Sequence, residues 1–209
     1  MIDTTLFPAL KVAASKFSLS VNYTQGVTRG GEVIRVGVGA RLWAGTVSVA
    51  PAYYHQLAAL EALLAESDAA GRFILAYDAR FDGPRLDPTG AILGAATPTI
   101  HTLDADSRRM RVTGLPAGYQ LRTGDYIGWQ YGSGPVRYAL HRLTSDADAS
   151  GAGLTPLFSV VPHIRPGAAV GAAVSLVRPV CKCVISADYG AGSRLISQGP
   201  QITLTQTLR

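Results

Sequence analysis

Turn formers interrupt this chain so often that little except short strands fits between them. Its 209 residues include 23 Gly and 12 Pro with no triplet period, and the stretches left over alternate apolar and polar residues with period two. Residues 17–23, 33–38 and 41–49 all read as half-buried antiparallel strands. One segment breaks the pattern. Tyr53, Leu57, Leu60 and Leu64 recur at the spacing of a single helical stripe, Pro51 supplies a start that loses no donor, and Gly71 stands just beyond the last turn. A helix is therefore expected over about 51–68, followed by a strand at 72–77.

Residues 78–98 lose all periodicity. Asp82, Gly83 and Pro84, then Asp87, Pro88 and Gly90, then Thr97 and Pro98, are turn formers that read as a linker or long loop. Short strands resume at 110–113, 119–122, 125–131, 136–143, 157–161, 173–177 and 180–185, separated by turns at the spacing of a small barrel. A loop at 190–200 leads to a last alternating segment, 201–208, expected to return to the first sheet. At roughly 150 residues per domain the length admits one large unit or two small ones. The reading is a mainly β chain. Residues 1–95 form a β-sandwich-like domain with one α-helix, completed by 200–209, and residues 96–188 form a small OB-type β-barrel.

Composition narrows the function classes. Hydrophobic residues make up 47%, which excludes disorder as the main state, while charged residues make up only 16% against about 25% in an average soluble protein. The net charge is +5, and 16 of the 19 basic residues are Arg. Two readings account for that bias: the codon usage of a GC-rich genome, and a surface covered by neighbouring subunits, where Arg is favoured over Lys. The first fifteen residues lack the pattern of a signal peptide, and no apolar run is long enough to span a membrane.

No catalytic constellation emerges. His55, His101, His141 and His163 fall on a helix, a linker, a strand and a Pro-flanked loop, so nothing in their spacing argues for ligation. Cys181 and Cys183 point to one face of a strand about 7 Å apart, too far for an unstrained bridge, and read as reduced thiols. Zinc would need two further ligands, with only His141 and His163 near in sequence. Asp146, Asp148, Ser150 and Gly151 copy the first half of a calcium loop, but position twelve is Leu157, so a hairpin turn is the reading. No nucleophile elbow, phosphate loop or zinc-protease helix is present. Catalytic, cofactor-binding and metal-binding residues are all read as none, and the chain as not an enzyme.

Two features bear on nucleic acid or carbohydrate. Ile127, Trp129 and Tyr131 alternate onto one face, which reads as barrel core before it reads as a stacking platform. Arg108, Arg109 and Arg111 make the densest basic run, but Met110 and Val112 interrupt it as a strand would.

From Trp43 onward the order of motifs resembles a family of phage proteins. The series begins with Trp43, Gly45 and Thr46, then Gly71, Arg72 and Phe73, then the Pro-Gly-rich connection at Asp82–Pro84 and Asp87–Gly90. It continues through Gly114, Leu115, Pro116, Gly118, Leu121, Gly124, Asp125 and Tyr126, then Arg137, Tyr138, Leu140 and His141, then the Ala147–Gly151 hairpin. It closes with Val160, Pro162, Ile164, Arg165, Pro166 and Gly167, and finally Arg178, Pro179 and Cys181. The pattern is similar to that of the distal tail proteins of long-tailed bacteriophages and prophages. The resemblance implies a ring-forming N-terminal domain, six subunits to a ring, and an outward-facing OB-type barrel. It implies a homo-oligomer that joins the tail tube protein to the baseplate hub protein, near the tape-measure protein, around the channel through which DNA leaves. It implies residence in the virion at the tail tip after synthesis in the bacterial cytoplasm, with no membrane partner, no sequence-specific nucleic acid binding and no cofactor. The alternative is an OB-type module that binds a carbohydrate receptor or single-stranded nucleic acid. Strand edges within 33–49 and in the final strand are the candidate ring contacts.

Overall fold

The computed structural model describes residues 2–190 and 195–208. Residues 191–194 of the expected 190–200 loop, and Arg209 at the end of the expected final strand, lie outside them. In chain order the elements are β1 (Ile2–Asp3), the single turn α1 (Leu6–Ala9), β2 (Val12–Leu19), β3 (Tyr23–Val27), β4 (Val33–Gly37), β5 (Trp43–Val49), β6 (Ala52–Tyr53), α2 (Tyr54–Ser67) and β7 (Phe73–Ala76). Then come β8 (Thr99–Leu103), β9 (Arg109–Thr113), β10 (Gln120–Leu121), β11 (Tyr126–Tyr131), β12 (Arg137–Leu143), β13 (Ala147–Asp148), β14 (Phe158–Val161) and β15 (Val174–Ser175). The last three are β16 (Cys181–Asp188), β17 (Ile196–Ser197) and β18 (Gln201–Gln206). The protein is mainly β, with one long helix and a barrel.

Six strands form the first sheet in the order β1-β7-β16-β18-β5-β2. Period-two alternation puts Ile74, Cys183, Ile185, Leu204, Ile202 and Val47 on one face, where they are buried. That face packs against Leu6 and Phe7 of α1, Leu64 of α2 and, from the outside of the barrel, Tyr126 and Leu140. The opposite face carries Thr203, Thr205 and Ser186, all exposed. A Cβ at Gly45 would come within 2.6 Å of the Lys16 carbonyl and 2.9 Å of the Phe17 ring; the bare Cα lets Phe17 lie across β5 and stack on Trp43 at 5.3 Å.

The barrel sheet runs β15-β11-β12-β14-β9-β8, and its seam closes where Thr99 bridges Ala173 and the Val174 N–H donates to the Pro98 carbonyl at 2.8 Å. It therefore has six strands where an OB barrel has five. Ile127, Trp129, Tyr131, Met110, Val112 and Phe158 fill its interior.

Local differences from the sequence reading have physical causes. The helix starts at Tyr54, not Pro51, because Ala52 and Tyr53 pair with Ser197 and Ile196 as strands. The strand expected at 17–23 ends at Leu19, where the Ser20 N–H turns to the Leu42 carbonyl at 2.7 Å and the chain leaves the sheet. Residues 181–188, placed with the barrel by the 96–188 division, pair with β7 and β18 in the first sheet. The final strand lies between β16 and β5, with both of its edges taken. No helix of the described residues is long and apolar enough to cross a membrane.

Candidate functional site

The residues singled out for chemistry stay apart. His55 is exposed between Tyr53 and Tyr54, His101 hydrogen-bonds Thr102 Oγ1 at 2.7 Å, and His163 sits on an exposed loop. His141 alone is buried. Its ring stacks on Trp129 at 4.5 Å, Nδ1–H donates to the Pro162 carbonyl at 2.8 Å, and desolvation pushes its pKa down to about 4. The Cys181 and Cys183 sulfurs lie 3.5 Å apart in the core of the first sheet, where their hydrogen bond and burial push the Cys181 thiol well up. Among the described residues no group of three or more His, Cys, Asp or Glu is placed to hold a metal ion.

The half-calcium motif is a turn whose carboxylates already have partners. Asp146 accepts the Thr123 N–H and hydroxyl, both at 2.7 Å, and Asp148 pairs with Arg122. Trp129 and Tyr131 point into the barrel, 4% and 7% exposed, so they offer no stacking surface. Arg109 is held by Asp104, and Arg111 is half-buried, which breaks up the basic run.

Three buried aspartates missed by the sequence reading tie the supposed linker to the barrel. Asp78 accepts the Tyr126 hydroxyl at 2.9 Å and both arms of the Arg80 fork, at 2.8 and 2.6 Å. Asp87 accepts the N–H groups of Ile92 and Leu93 and the Tyr119 hydroxyl. Burial opposes ionisation of Asp87, yet those donors outweigh it and hold its pKa below the ordinary value. Asp125 accepts the N–H groups of Arg85 and Arg122 at 2.9 and 2.8 Å. An aromatic path, Phe17 to Trp43 to Tyr126 to Phe81, crosses the same junction, and the Trp43 indole donates to the Leu140 carbonyl at 2.7 Å. Residues 78–98 are thus a packed strap that fixes the barrel on the sheet. Only the Asp-rich turn grammar hinted at it.

What remains unpartnered is an arm. Among the described residues β3 and β4 pair with each other and with no other strand, closing through a turn where Thr28 Oγ1 accepts the Glu32 N–H and Gly31 takes φ 82°. Every residue of both strands is exposed on both faces, including Val27 at 66% and Val36 at 59%. At its base a cleft of about 600 Å³ opens between Val21, Tyr23 and Arg41 on one side and His163, Ile164 and Arg165 on the other. An isolated two-stranded hairpin is marginal in water, and exposed β-branched strands with free edges invite pairing with another chain. The arm's geometry therefore suits contact with a further molecule. Compared with models of protein families and with characterised proteins, the chain matches none.

Proposed function

We propose that this protein is a structural component of the tail tip of a long-tailed bacteriophage, a distal tail protein. Its copies form a ring of six that joins the tail tube to the baseplate hub around the DNA exit channel, and the barrel faces outward. The observation that carries the reading is the bare arm: a chain that leaves a β-branched hairpin unpacked on both faces supplies it to a neighbour. The role is that of a scaffold without catalysis, resident in the virion and made in the host cytoplasm.

A barrel that gripped sugar or single-stranded nucleic acid by stacking would need exposed aromatics. Trp129 and Tyr131 face inward, which favours the scaffold. The mass of the purified chain tests the reading: a closed ring supports it, and a persistent monomer counts against it.

A further inference from the structure

The cleft of about 600 Å³ at the base of the arm has braced walls. On one side the Asn22 amide donates to the Ala40 carbonyl at 2.7 Å and the Arg41 Nε–H to the Ser20 carbonyl at 3.2 Å, which fixes the root of the arm. Across the gap the Arg165 Nη2–H donates to the Arg41 carbonyl at 3.2 Å, so the barrel loop and the root are tied together. The hollow is preformed, and its size lies within the roughly 300–1,000 Å³ of ordinary ligand sites.

Three kinds of surface line it. Val21, Tyr23, Pro162 and Ile164 offer apolar contact. Gly37 and Gly39 offer bare backbone: a Cβ at Gly37 would meet nothing within 4 Å, one at Gly39 only the Asn22 amide at 4.0 Å, and neither residue takes a positive φ. Nothing within the chain therefore calls for glycine at either position. A strand glycine without an internal cause marks a place where another backbone approaches closely.

The third surface is cationic. Arg41 and Arg165 each spend an N–H on a backbone carbonyl, and among the described residues neither has a carboxylate partner, which leaves guanidinium donors of both unspent. Arg35 lies over the Tyr23 ring at 4.9 Å, and His163 is exposed on the opposite wall. No Asp or Glu lines the cleft. The loop beside it, where the Ser107 carbonyl accepts the Ile164 N–H, carries Asp104 and Asp106, but Arg109 pairs with both.

We infer that this cleft binds an acidic peptide, an extended segment of a partner protein in which Asp or Glu stands beside a large apolar residue. The carboxylate meets the guanidinium groups of Arg41 and Arg165, the apolar side chain lies on Tyr23 and Ile164, and the peptide backbone passes over Gly37 and Gly39. The site does not depend on the ring proposed above.

Selection of linear peptides from a random library on the full chain tests it, followed by anisotropy titration of the recovered sequences as synthetic peptides. Recovered peptides are expected to carry Asp or Glu next to a large apolar residue, and amidation of that acid to Asn or Gln is expected to weaken binding roughly tenfold or more. Arg41→Glu with Arg165→Glu is expected to cost at least as much. Gly37→Leu, which fills the floor and keeps both guanidinium–carbonyl bonds, should do the same in a protein whose thermal melt is unchanged. Arg29→Glu, in the turn at the far end of the arm, should leave the affinity as it is. The site is wrong if no peptide is recovered, if the recovered peptides lack acids, if Gly37→Leu binds them as the parent does, or if a short oligothymidylate outcompetes every peptide. A parent that still assembles into a ring while failing in any of these ways removes the peptide site and leaves the proposed function standing.

Discussion

Removing the carboxylate of Asp78 leaves the Tyr126 hydroxyl buried without an acceptor and Arg80 without its fork partner. We expect Asp78→Ala to lower unfolding stability by about 3 kcal/mol, and Tyr126→Phe, which removes only the donor, by about 1 kcal/mol. Urea midpoints at equal m-values measure both. His141 gives the pH dependence a definite sign. The unfolded chain protonates this ring below about pH 6.5 and the folded chain only below about 4, so the unfolded state binds more protons between those values. The contribution is intact above 6.5, falls as pH drops toward 4 at up to about 1.4 kcal/mol per pH unit, and levels off below that. A His141→Phe variant is expected to flatten this window in urea titrations, whatever its absolute stability. These roles were not legible in the sequence. Tyr126 lies 48 residues from Asp78 and Tyr119 lies 32 from Asp87, and Asp in a turn-rich segment looks the same whether it caps a loop or anchors a barrel.

At the scale of elements, alternation located the strands well because a half-buried strand writes its pleat into the sequence. β5 and β18 show it plainly, and the stripe from Leu57 to Leu64 marks α2. The same signal misled at β4. Val33, Ile34 and Val36 read as a strand with one buried face, but both faces are bare, since periodicity reports apolar residues and not what covers them. The arm should therefore behave as a separate unit in the dispersed chain. Hydrogen exchange is expected to be fast at the amides of β3 and β4 and slow at β5 and β18, whose backbone groups are paired on both sides. In the assembled protein the arm should gain protection. Equal and slow exchange across arm and sheet in the dispersed chain would contradict an unpacked arm.

At the scale of the whole molecule, strand order lay beyond local pattern. That β16 joins β7 and β18 while its predecessor β15 closes the barrel depends on pairings between distant segments, which period and turn chemistry do not encode. The order explains why the barrel is held rigidly: the chain enters it through the strap at 78–98 and leaves it into the centre of the first sheet. A rigid two-core subunit with one free arm is suited to repetition around an axis. The mass of the purified full chain, read by native mass spectrometry together with images of the particles, tests that account most directly. From a subunit of 21.9 kDa, the expected result is a discrete species of about 130 kDa, a ring of six with a central opening. A single species of 21.9 kDa at every concentration, or open chains of variable length, would contradict it.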